Sequence, residues 1–190
     1  MSDKRLADLE AWRRKIEASH IIAERLLFAQ TASVTVTNTA SETTLVGAGV
    51  GSLSLPANWF APGRVVRVTA GGSFGYTSTP TIVLRNYFGS VNCGGTTVMT
   101  LAGVPTGVIV WNYTNTMTCR SIGATGSFVN TTRVDWIRDA ANGTAQTAGA
   151  TATNSVDTTA AMSIDFMAQW GTANAANTIT CNVLVVEVLN

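Results

Sequence analysis

The sequence predicts an all-β protein, an antiparallel jelly-roll β-sandwich preceded by one N-terminal α-helix. Three observations predict it. From Ser33 onward apolar residues recur at every second position, the period of a half-buried strand. Clusters of Gly, Pro and Asn interrupt these runs at short intervals, as sandwiches and barrels require. The charge is also divided: residues 1–30 hold eleven charged side chains, and residues 31–190 hold the other twelve, six of each sign, with no Lys after Lys15. Two different physical objects therefore meet near residue 30.

The first object is residues 1–30. Residues 3–30 contain no Gly or Pro and are rich in Leu, Ala, Glu, Arg and Ile, which favour helix. Ser2 or Asp3 caps the start. Leu6, Leu9, Ile16, Ala23 and Leu27 fall on a seam of three- and four-residue spacing, with Arg13 and His20 in its gaps; Leu9, Trp12, Ile16, Ala23 and Leu26 fit a second register. A helix with a dense mixed-charge surface is expected to serve as an oligomerisation stalk, a short coiled coil or a docking arm. The competing reading is a helix packed on its own domain.

The second object, residues 31–190, reads as strands. The segments are Ser33–Thr39, Thr43–Val46, Ser52–Leu55, Arg64–Ala70, Thr81–Phe88, Thr96–Leu101, Val108–Cys119, Ser127–Arg138, Ala160–Trp170 and Thr178–Leu189. Turn chemistry separates them at Pro56–Asn58, Pro62–Gly63, Cys93–Gly95, Pro105–Gly107, Asn142–Gly143 and Trp170–Gly171. Met162, Ile164, Phe166, Ala168 and Trp170 share one strand face, so a one-residue slip would turn the whole set to water. About ten strands suit two packed antiparallel sheets.

The last strand differs. With unbroken alternation, Ile179, Cys181, Val183 and Val185 lie on one face and Leu184, Val186 and Val188 on the other. A strand apolar on both faces needs a second cover. Leu184, Val186 and Val188 are therefore expected at an oligomer interface, together with Leu9, Ile16, Ala23 and Leu27 of the helix.

Composition bounds the chemistry. Charged residues make up 12% of the chain, about half the usual share, and the net charge is +1. That balance argues against a basic nucleic-acid surface. No apolar run is long enough to span a membrane, and no secretory signal is visible. The single His and three widely spaced Cys (Cys93, Cys119, Cys181) supply neither a zinc motif nor a triad, so buried reduced thiols are expected. Gly47–Gly51 lacks nucleotide-loop spacing and is followed by a strand, which favours a bulge or close packing. Among the carboxylates of the body, Asp135 and Asp139 lie near Arg133 and Arg138, so ion pairing is the simplest account. Asp139, Asn142 and Asp157 have no calcium-ligand spacing. No cofactor and no catalytic residues are expected. Trp59 and Tyr76, in or beside turns, are the aromatics expected to be exposed for ligand contact, for example stacking on a glycan.

Thr44–Gly72, with SLSLPANWFAPGR at 52–64, and Asp157–Leu189, with DTTAA at 157–161 and AQWGTA at 168–173, resemble tailed-bacteriophage virion proteins with a trimeric, tumour-necrosis-factor-like jelly roll. The likeness covers about residues 33–189 and rests on turns and core. It implies the fold, a homotrimer and a virion context. The expected function is a structural protein on the capsid surface, a decoration protein or head fibre, with residues 1–30 holding other virion proteins. The alternative is a receptor-binding tail-fibre tip that recognises a host-surface glycan.

Overall fold

A computed structural model describes residues 9–11, 26–102, 109–139 and 144–190. Among the described residues there are fourteen strands: β1 (Leu26–Gln30), β2 (Val34–Thr37), β3 (Thr43–Thr44), β4 (Gly49–Gly51), β5 (Ser54–Leu55), β6 (Val65–Gly75), β7 (Thr81–Phe88), β8 (Val91–Asn92), β9 (Thr97–Thr100), β10 (Ile109–Cys119), β11 (Gly126–Asp139), β12 (Thr144–Val156), β13 (Met162–Trp170) and β14 (Thr178–Val188). The chain is an antiparallel β-sandwich, as the alternation and turn spacing predict.

An eight-stranded sheet runs β12-β11-β10-β6-β14-β1-β4, with β2 also on β14. A six-stranded sheet runs β3-β13-β7-β8, with β5 on β13 and β9 on β7. β1 and β2 thus lie beside the last strand, β14, and β3 and β5 beside the penultimate, β13, which is jelly-roll connectivity. The β11–β12 hairpin is an addition that widens the longer sheet.

The core lies between the sheets and is aromatic. Phe74 and Trp111 stack at 5.9 Å, Trp111 and Phe166 at 6.1 Å, and Tyr113 meets Phe166 at 4.7 Å. Trp111, Tyr113, Phe166 and Trp170 are each at most 1% exposed, so the row Met162–Trp170 faces inward from Ile164 on. Burial of such side chains, about 1.5–3 kcal/mol each, is what the period-2 pattern encodes.

Two expectations change. The helix anticipated over 3–30 does not reach residue 30: Leu26–Gln30 is strand β1, paired with β14 as Phe28↔Val186 and Ala29↔Val185. Leu27 is therefore a strand residue packed against the core rather than a helix seam position. Its Leu-rich stretch has good helix propensity, but β14 offers an open ladder, and pairing overrides propensity. Helix is seen at residues 9–11, where Leu9 is 60% exposed. Ile16, Ala23 and His20 lie outside the described residues.

The second change concerns β14. Its ladder with β6 shifts between Cys181↔Gly72 and Val183↔Gly71, a bulge centred on Asn182. One extra residue reverses the alternation, so Ile179, Cys181, Leu184, Val186 and Val188 all point into the sandwich. Leu184 and Val186 are 1% and 0% exposed and Val188 is 8% exposed. These three belong to the core of a single subunit and not to an outer face. The outer face carries Thr178, Thr180, Val183, Val185 and Glu187 instead.

Candidate functional site

The outer face of the eight-stranded sheet is an extended surface. Threonines and small residues dominate it: Thr69, Gly71 and Ser73 from β6, Thr114, Thr116 and Thr118 from β10, and Thr131 from β11. On β14 and β10 it presents Val183 and Val110, 51% and 43% exposed. The register places Val183 beside Gly71, and Val110 beside Ser73, so two valines flank a floor of small residues on β6.

Two ion pairs on this face are closed within the subunit. Arg67 Nη2 donates to Glu187 Oε2 at 2.7 Å, across the neighbouring strands β6 and β14. Arg133 Nε lies 2.9 Å from Asp135 Oδ2, and Thr147 donates to the same carboxylate. The Arg133 guanidinium, then the Thr147 hydroxyl, hold the Asp135 carboxyl below its ordinary range. Between those pairs the face is polar and uncharged, a plate suited to another flat neutral surface.

The opposite sheet carries a polar strap. Arg85 Nη1 donates to Glu42 Oε1 and to Gln169 Oε1, both at 2.9 Å. Tyr87 Oη donates to Glu42, and Gln169 Nε2 to Ala40 O. Thr44 Oγ1 donates to Asp165 Oδ1 at 2.6 Å. Burial and the Glu42 carboxylate push the Tyr87 hydroxyl up. These contacts fasten segment 40–44 to β7 and β13. They engage the Glu42 and Asp165 carboxylates.

A seam of asparagines, which pattern reading missed, crosses the core. Asn86 and Asn115 are 0% and 1% exposed. Asn115 Nδ2 donates to Asn86 Oδ1 at 3.0 Å and to Cys93 O at 3.2 Å, while Thr132 Oγ1 donates to Asn115 Oδ1 at 3.3 Å. Asn86 Nδ2 donates to Asp165 O, and Asn86 O accepts from the Cys93 amide. The seam ties β10 and β11 to β7 and β13. Its signal was present in the sequence: Asn86, Asn115 and Thr132 occupy inward positions of apolar rows, where an amide needs partners.

The aromatics expected to be exposed are not. Tyr76 is 3% exposed and belongs to the core, with its hydroxyl 3.3 Å from Ala102 O. The turn residue beside a strand end points inward here. Trp59 is half-buried, edge-on to Phe60 at 4.9 Å, and the Arg64 guanidinium lies 4.4 Å over its ring. The two do not form a stacking platform. Asp157 accepts from the Thr159 amide and hydroxyl, which lowers its carboxyl below the usual range. No group of three potential metal ligands occurs among the described residues. The side chain of Asp139 and residue Asn142 lie outside what is described. Gly47, Gly49 and Gly51 pack against β1 of the same chain, where a Cβ on Gly49 or Gly51 would strike Phe28 or the Leu27 carbonyl. A depression of about 220 Å³ at one end of the sandwich is lined by Phe88, Val91, Val156 and Met162, with Asp157 among its lining.

No protein-family model matches the chain, and no curated protein is similar to it at a significant level.

Cys93, Cys119 and Cys181 are free and buried. Desolvation pushes the Cys93 thiol up to about 12 and the Cys181 thiol up to about 11. In native protein none of the three reacts with a soluble disulfide reagent at pH 8, and all three react in urea. Their folded values are raised, so their contribution is fully present below the ordinary thiol value. It is lost progressively as pH climbs from that ordinary value up to about 11 to 12. The urea midpoint, followed from pH 8 upward, falls in that window and is rescued in part by Cys93→Ala.

Proposed function

We propose that this chain is a non-enzymatic structural protein of a phage virion: a homotrimeric jelly roll on the capsid surface, with residues preceding Leu26 as anchor or stalk. The resemblance of Thr44–Gly72 and Asp157–Leu189 to phage virion jelly rolls supports the virion setting. The observation that carries the oligomer is the outer face of the eight-stranded sheet, with Val183 and Val110 exposed over Gly71 and Ser73 and its ion pairs closed on themselves. Such a face loses little on desolvation and gains from close packing. This moves the proposed contact from Leu184, Val186 and Val188 to Val183, Val185 and Val110. A coiled coil in residues 1–25 belongs to the same proposal. The made-in-cytoplasm, assembled-on-virion location follows from it, with other virion proteins as partners.

The face is tested by adjacent substitutions. Val183→Asp gives a folded subunit that elutes as a monomer, whereas Val186→Asp, at a position 0% exposed, loses more than about 4 kcal/mol and does not fold. A trimer from Val183→Asp refutes the proposed contact. The anchor is tested by deletion of residues 1–25, which leaves β1 in place. The truncated protein folds but no longer cosediments with particles; decoration by the truncated protein contradicts the anchor role.

A further inference from the structure

Sheet edges need management, because an edge strand presents a row of unpaired N–H and C=O groups to any passing chain. Most edge strands here are short: β4 has 3 residues, β3, β5 and β8 have 2 each, and β9 has 4. Shortness is one standard protection. β12 is the exception. It has 13 residues, about 40 Å of edge at the usual rise. Among the described residues, no strand pairs with it on the side away from β11.

Charge and proline, two other protections, are missing too, while the inward side of β12 lies against β8 and β9 of the other sheet. The strand reads TAQTAGATATNSV, with no charged residue and no proline. Its ladder with β11 runs without a bulge from Gly126↔Val156 to Ile137↔Ala145. Its outward row, Ala145, Thr147, Gly149, Thr151, Thr153 and Ser155, is exposed and small, so side chains do not screen the backbone. The carboxylate nearest this row, Asp135, is held by Arg133 and Thr147 within the hairpin. The edge is also held in place: Asn154 Nδ2 donates to Asn92 O of the other sheet at 3.0 Å.

We infer that β12 is an assembly edge that pairs antiparallel with β12 of a second copy of this chain, joining two eight-stranded sheets into one. An open edge takes an extended strand. Two-fold pairing places residues of this stretch opposite residues of the same stretch. All of them are neutral and mostly small, so no register sets like charges or bulky groups against each other, and Thr–Thr pairs form on the outer row. A charged partner strand finds no counter-charge here. The contact is in the plane of the sheet and does not rest on the face contact proposed for the trimer; it links one such assembly to another.

The test uses the full chain. Thr151→Lys/Thr153→Lys places like charges across the two-fold contact at exposed positions. Circular dichroism and thiol protection check that the variant is folded. The wild type is expected to sediment with at least twice the mass of this variant. Amide exchange in residues 144–156 is expected to speed up in the variant and on dilution of the wild type. Equal masses for the two proteins, or exchange in 144–156 that ignores both the substitution and dilution, overturn the inference. A mass that falls with Val183→Asp but not with the double lysine variant also overturns it, while leaving the face contact standing.

Discussion

The phase of β14 is the constraint on which the rest of the structure depends. This strand pairs with β6 on one side and with both β1 and β2 on the other. Whatever faces inward from β14 sets which residues of three neighbours face inward. The bulge at Asn182 lets one strand satisfy two requirements. Ile179 and Cys181 enter the core before it, and Leu184, Val186 and Val188 enter after it. Were the strand paired without a bulge, with Asn182 in the ladder, one half of this set would face water and Glu187 or its neighbours would face Phe28 and Val68. The same bulge leaves Asn182 and Val183 together on the outer face. The residue that completes the core thus also shapes the surface proposed for subunit contact.

Around this strand, the two sheets are joined by different means in different places. Large aromatics fill the space between β6, β10 and β13. Toward the β11–β12 hairpin the filling changes to amides and hydroxyls, with Asn115 bonded to Asn86, Cys93 and Thr132. Apolar packing there would tolerate sliding of the added hairpin. A set of directional bonds fixes its position, since each amide left unpaired in the interior would cost about 1–3 kcal/mol. The fixed hairpin then presents β12 as a rigid edge. The low charge of the body has a matching explanation: its plates and edge are neutral where contact with like copies is proposed, and its ion pairs are closed within the subunit.

The legible part of the fold was the part written in large side chains. Met162–Trp170 and Ile109–Cys119 alternate bulky apolar and polar residues, and both are strands with the bulky apolar face inward. β12 escaped because Ala, Thr and Gly alternate weakly, though the strand is 13 residues long. β1 escaped because Leu26, Leu27 and Phe28 fit a helical stripe equally well, and only the presence of β14 decides between them. The bulge left no local mark at all: Asn182 is an ordinary polar residue inside an apolar run, and its effect appears only when both ladders are paired. The candidate site was least legible for that reason. A one-residue phase error moved the interface reading from Val183 to Leu184. Tyr76 was misplaced because turn residues at a strand end do not reveal which way the last side chain points.

Deletion of Asn182 tests the bulge directly. If this residue is the extra one, its removal regularises the β14–β6 ladder and keeps Ile179, Cys181, Leu184, Val186 and Val188 on one face. The deletion variant is then expected to unfold cooperatively in urea and to keep its thiols protected, as Asn182→Ala does. If β14 were an unbulged strand, the deletion would turn one half of it over and place its apolar residues in water. An unfolded deletion variant beside a folded Asn182→Ala would contradict the account.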